Sequence, residues 1–215
     1  MREAALPLCP FPPLHWWAHA AAGGVIDVHE RWVKGTARNR IPLADARGPF
    51  HLTLPVVHPG DAPLSEVQIS GHIPEVKLWR AVETAYRSAP FFDQIEGELR
   101  PLWREHLRPG ALLAEASLAL LTWTSSWIGV PVPPSAAAVL PWTWEGPDLR
   151  GRMALLGDGI AFEPYPRVFM DRVPFPPGLS VLDALMHLGP GVRDVLSQHG
   201  GNPDPGGLEA YAAAR

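Results

Sequence analysis

Proline sets the strongest limit on what this chain can fold into. It occurs 26 times in 215 residues, about twice its usual share. Each proline removes a backbone donor and restricts φ, so long helices and central strands are confined to the intervals between them. Short elements joined by rigid connections are expected in place of a helical bundle.

Within those intervals the chain can still bury a core. Apolar residues make up 47% of the sequence and charged residues 19%, with nine tryptophans, enough burial to offset the entropy of ordering. A chain of this length buries about 70% of its unfolded surface. One domain is expected over 1–199, followed by a flexible tail over 200–215, where GGNPDPGG reads as a mobile linker.

The net charge of −4 exerts no global pull toward nucleic acid or an anionic membrane, so a basic function must be local. Cys9 is the single cysteine, which rules out an intramolecular disulfide and gives no sign of an oxidising compartment. Pro7, Pro10, Pro12 and Pro13 interrupt the apolar run that a signal peptide would need. Since no stretch reaches the roughly 20 apolar residues of a membrane span, a cytoplasmic protein without a transmembrane segment is expected.

Periodicity then gives a mixed α/β (α+β) reading: a small central sheet from the N-terminal half, packed by helices of the middle and C-terminal region. Leu14 to Ala22 reads as a short helix stopped by Gly23 and Gly24. VIDVHERWV and FHLTLPVV read as strands, with VQISGHI a weaker one. From Pro74 the spacing of Val76, Trp79, Val82, Ala85 and Tyr86 is helical. APFFDQIEGELRPLWREHL forms a second helix or two pieces split near Pro101, and GALLAEASLALLTWTSSWIG a core helix closed by Gly129. SVLDALMHLG carries a capping-box-like start at Ser180 and Asp183, and Val192 to Gln198 a last short helix.

The most informative polar segment is DVHERWVKGTARNR. Arg31, Lys34, Arg38 and Arg40 fall within ten residues that contain no acid. Planar guanidinium groups match phosphate or carboxylate oxygens, and Lys34 adds a mobile point charge, so the segment suits an anionic ligand. In an extended strand Asp27 and His29 would share one face, an arrangement in which a carboxylate orients a general base. Solvated surface cations and a strand histidine satisfied by a neighbouring acid are the competing explanations. His15 and His19 stand at i and i+4 but lack a third ligand, so no metal is expected. Tyr86 could edge a sugar site, and Glu98 is a candidate second carboxylate. Phosphate-loop, dinucleotide-binding and nucleophile-elbow motifs are absent from the sequence, and no cofactor is expected.

HERWVKGTARNR, FHLTLPV, WRAVETAYRSAPFF with EGELRPL, and EPYPRVFMDRVPFPPGLSVLDALMHLGP together resemble the WbqC-like family over about residues 10 to 198. The sequence departs from that pattern at Leu78, where a histidine often precedes the Trp-Arg pair, and at Pro166, where a second aromatic would follow Tyr165. The resemblance implies a role in bacterial surface-polysaccharide (O-antigen) biosynthesis and singles out Asp27, His29, Lys34, Arg38, Asn39, Arg40, Tyr86 and Asp183. One reading is an acyl or aminoacyl transferase acting on a nucleotide-linked amino sugar. His29 would be the base oriented by Asp27, and Tyr86 would contact the sugar or relay a proton. Lys34, Arg38, Asn39, Arg40 and Asp183 would bind ligand. A second reading is a non-catalytic protein that binds an anionic ligand or a glycan-pathway partner. A third makes Asp27, His29 and the arginines a buried ion network tying strand to helix.

Overall fold

The computed structural model describes residues 3–140, 143–150 and 162–199. Its opening is a βαβ unit that the prolines conceal. Strand β1 (Ala4–Pro7) leads into helix α1 (Leu14–Ala21) and strand β2 (Gly24–Asp27). The two strands pair in parallel, with Ala4 opposite Gly24 and Pro7 opposite Asp27. Every residue of β1 is buried, as a strand covered on both faces requires, and such strands lack apolar-polar alternation. Bridges from Asp148 to Ala5 and from Ser135 to Ile26 extend this sheet on either side.

The strand expected across Val25 to Val33 stops at Asp27. Asp27 Oδ1 accepts the backbone N–H of His29 at 3.1 Å, an Asx turn that redirects the chain. Asp27 and His29 therefore do not share a strand face. After the loop over 28–39, strands β3 (Arg40–Asp45) and β4 (Gly48–Thr53) form an antiparallel hairpin, with Ile41 opposite Leu52 and Leu43 opposite Phe50. The strands thus divide into two small sheets. VQISGHI contributes only the isolated bridges at Gln68 and Ile69.

Helix α2 (Glu75–Tyr86) buries Leu78, Trp79, Val82, Ala85 and Tyr86. Val76, expected on that face, is 43% exposed; the buried stripe is rotated toward Leu78. Helix α3 (Phe92–His106) runs through Pro101 without a break. Helix α4 (Leu113–Ile128) ends at Gly129, whose φ of 70° is the left-handed conformation a helix stop favours. Between these helices the core is strongly aromatic. Phe11 stacks on Trp103 at 6.4 Å, and Trp79 meets Trp103 edge-on at 5.5 Å.

Helix α5 (Val181–Leu188) and helix α6 (Val192–His199) complete the described elements. The start of α5 is pinned from two sides: Ser180 N–H donates to Pro42 O and Val181 N–H to Pro12 O, each at 2.9 Å. The expected capping box is not made, because no side-chain bond caps this terminus and the Asp183 carboxylate is engaged elsewhere. The architecture is the mixed α/β arrangement read from the sequence. No helix among the described residues is long and apolar enough to cross a membrane. The tail over 200–215 lies outside the described residues.

Candidate functional site

The segment from Asp27 to Arg40 is built on a buried ion network. Asp27 is fully buried, and its Oδ2 accepts Arg150 Nη1 at 2.8 Å and the Leu140 N–H at 3.3 Å. Arg150 Nη2 donates to Asp148 Oδ2 at 2.7 Å and its Nε to Asp148 Oδ1 at 3.0 Å. Arg38 forms a two-bond fork with Glu30, its Nε 2.9 Å from Oε1 and its Nη2 on Oε2. The same Nη2 reaches the Arg150 carbonyl at 2.9 Å. Burial pushes the Glu30 carboxyl up to about 7 against the opposing pull of Arg38. Asn39 is buried too, its amide donating to Leu54 O at 2.7 Å.

Asp27 and Arg38 are thus members of a buried ion network, and Asn39 is buried beside it on the Leu54 carbonyl. His29 and Arg40 are half-buried, while Arg31 and Lys34 are exposed. The exposed charged residues of the segment, Arg31 and Lys34, are thus both basic and flank the exposed Val33, on a loop anchored at Asp27 and Arg38. Asp27 supports His29 through the backbone N–H and spends its carboxylate on Arg150.

Tyr86 and Asp183, 97 residues apart, meet in a second cluster where Tyr86 Oη donates to Asp183 Oδ2 at 2.9 Å. Tyr165 Oη donates to Oδ1 at 2.7 Å, and Arg167 grips both oxygens through Nε at 2.8 Å and Nη2 at 2.9 Å. The Ala44 N–H donates to Tyr86 Oη at 3.3 Å. Burial, then the Asp183 charge, pushes both phenols well above their ordinary range, so each remains a neutral donor. His187, one turn after Asp183, places Nδ1 2.8 Å from the Asp183 carbonyl oxygen. Its ring lies edge-on to Tyr86 at 5.7 Å and tilted to Tyr165 at 6.4 Å. Burial lowers the His187 pKa below its ordinary 6.5.

These clusters sit at opposite ends of β3. Asn39, just before the strand, bonds to Leu54, whereas Ala44 near its far end bonds to Tyr86; five strand residues cover about 17 Å. The residues singled out from sequence are therefore split, with Asp27, His29, Lys34, Arg38, Asn39 and Arg40 at one end and Tyr86 and Asp183 at the other. Sequence reasoning missed Glu30, Arg150, Tyr165, Arg167 and His187 as partners. Only His187 left a local signal, the i, i+4 spacing from Asp183 on a helix.

Other candidates have structural roles. Glu98 Oε2 accepts both the Trp123 and Trp127 indole N–H groups, at 3.2 and 2.9 Å, clamping α3 to α4. Cys9 is buried, and burial holds its thiol well above the usual range, the opposite of a reactive cysteine. Burial brings His15 down to about 4. Among the described residues no group of three or more His, Cys, Asp or Glu side chains could hold a metal ion.

A family model described as the WbqC-like protein family matches residues 20–143, more than half of the chain. That interval contains the whole of the Asp27–Arg40 segment and Tyr86, and ends before Asp183. No curated protein and no solved structure matches the chain.

Proposed function

The chain belongs to the WbqC-like protein family, and from that premise we propose that it acts in bacterial surface-polysaccharide (O-antigen) biosynthesis, transferring an acyl or aminoacyl group to a nucleotide-linked amino sugar. The observation that supports this reading is the anchored loop: Asp27, Glu30, Arg38 and Arg150 consume one another's charge below it, while Arg31 and Lys34 stand exposed above. A phosphate group brings the oxygens such cations hold best. The loop is the ligand-holding part of the site, with His29 and Arg40 at its half-buried margin.

The test is binding followed by turnover. A uridine-diphosphate-linked amino sugar should raise the melting temperature by several degrees at saturating concentration, since a ligand of the native state stabilises it. Arg31→Ala with Lys34→Ala should remove most of that shift. With an acyl thioester added, mass spectrometry should show the sugar gaining one acyl group. One observation favours the second reading, a non-catalytic binder: the Asp27 carboxylate is held by Arg150 and does not orient the His29 ring. A full thermal shift with no acylated sugar from any donor would decide for that alternative.

A further inference from the structure

We propose that His187 is the general base of the acyl transfer, acting at a site on α5 that the irregular segment over 162–179 covers. This rests on the reading of the chain as an acyl transferase.

The argument starts from the ring's two nitrogens. The partner of Nδ1 is the Asp183 carbonyl oxygen, 2.8 Å away, and a carbonyl oxygen only accepts. Nδ1 therefore carries the proton, and in the neutral ring the lone pair resides on Nε2. Burial disfavours the imidazolium, so the neutral form predominates near pH 7. Nε2 is buried and, among the described residues, has no hydrogen-bond partner. Buried polar atoms are rarely left so, and a functional group is one of the few reasons for an exception.

The surroundings fix this lone pair in place. Tyr86 and Tyr165 flank the ring, and both phenols are committed to Asp183, so neither hydroxyl turns to satisfy Nε2. Two of the groups around the base, Tyr165 and Arg167, come from the covering segment and join α5 through the Asp183 carboxylate. At the tip of that segment Phe169 has φ of 67°, a conformation costly for a side chain of its size, and Met170 is 45% exposed. Tyr165, Val173 and Leu179 are buried and hold the rest of the segment in place, so it is at the strained, exposed tip around Phe169 and Met170 that it can lift to admit a substrate.

Once the substrate is admitted and the segment has settled over it again, the acceptor amine attacks the carbonyl carbon of an acyl thioester or ester. The C–N bond forms, and the proton of the attacking nitrogen passes to Nε2. Collapse of the tetrahedral intermediate breaks the C–S or C–O bond, and the same proton goes to the departing thiolate or alkoxide. Amide and free thiol or alcohol result, with no redox partner needed.

His187→Asn tests the assignment, because the asparagine amide can replace Nδ1 as donor to the Asp183 carbonyl while nothing replaces Nε2. It should lower kcat by about 100-fold or more with KM for the sugar and the melting temperature little changed. His72→Ala, at an exposed histidine bonded to Ser70, should leave kcat unchanged. A His187→Asn variant retaining more than a tenth of wild-type kcat overturns the proposal. A second measurement uses the wild type alone: carbethoxylation by diethyl pyrocarbonate, mapped by mass spectrometry, should reach His187 and be suppressed by the sugar nucleotide. An unlabelled His187 beside a saturated His72 overturns the proposal as well. Labelling and protection without any transfer would instead remove the transferase reading while upholding His187 as a ligand-facing group.

Discussion

Asp183 divides one carboxylate among two phenols and a guanidinium, and those partners are not equal. Removing the charge leaves the Arg167 cation buried and uncompensated, whereas removing one phenol leaves the ion pair intact. Asp183→Asn should therefore cost about 3–5 kcal/mol of stability and Tyr86→Phe about 1–3 kcal/mol. Urea unfolding followed by tryptophan fluorescence would check the order, and Tyr86→Phe costing as much as Asp183→Asn would contradict it. His15 makes a prediction in pH. Its unfolded form takes a proton near the ordinary 6.5, its folded form only near about 4. Between those values the unfolded state binds more protons, so stability present above 6.5 is lost as pH falls toward 4. Glu30 opposes this: its folded carboxyl keeps a proton up to about 7 against an ordinary 4.5, so its contribution rises as pH falls through that window. His15→Leu isolates the first effect, and relative to wild type it should gain up to roughly 3 kcal/mol between pH 7 and pH 4. Parallel stability-pH curves for the two proteins would show that His15 is not the titrating group.

At the scale of elements, helix ends show what the sequence makes legible. Gly129 stops α4 where the sequence places the stop, and Arg193 from α6 completes the end by donating to Trp127 O at 2.9 Å and Ser126 O at 3.2 Å. A cation on these carbonyls also suits the helix dipole, so Arg193→Ala should cost about 1–2 kcal/mol in urea unfolding, with the far-ultraviolet spectrum unchanged. Gly189 ends α5, and there a Cβ would lie 2.4 Å from the Phe91 ring at a φ of 52°. Gly189→Ala should therefore destabilise by about 2 kcal/mol or more and shift α5 with its His187. Periodicity and glycine stops made α2, α4, α5 and α6 readable because those signals are local. Strand β1 was not readable, since a short parallel strand buried on both faces carries no alternation, and β2 ended early because Asp27 closes a turn on His29. The site followed the same division. Tyr86 and Asp183 were singled out individually through the family resemblance, but that they bond one another is a fact of packing across 97 residues. Arg150, which completes the loop's network, lies 123 residues from Asp27 in a charged turn with no pattern of its own.

Across the whole molecule, Arg150 joins parts of the chain that secondary structure leaves separate. Its side chain holds Asp27 at the end of β2, Asp148 in the following segment and the Leu140 carbonyl, while its own carbonyl accepts Arg38 from the loop. Arg38 in turn fixes Glu30. The β1–α1–β2 unit, the cation-bearing loop and the segment before 150 therefore behave as one ionic unit. Arg150→Met should cost about 3–5 kcal/mol because Asp27 loses its counter-charge. Asp27→Leu should cost a similar amount alone but much less on the Arg150→Met background, giving a coupling of at least about 1.5 kcal/mol in a double-mutant cycle. The same cycle should appear in ligand binding, although neither buried side chain faces the solvent side of the loop. Losing the anchor frees Arg31 and Lys34 to sample orientations that the proposed phosphate-bearing ligand must then reorder, so affinity should fall with the first substitution and less with the second. Additive stability effects would show that Asp27 and Arg150 act independently. Coupled stability with unchanged ligand affinity in both single variants would show that the network holds the fold without preparing the loop for its ligand.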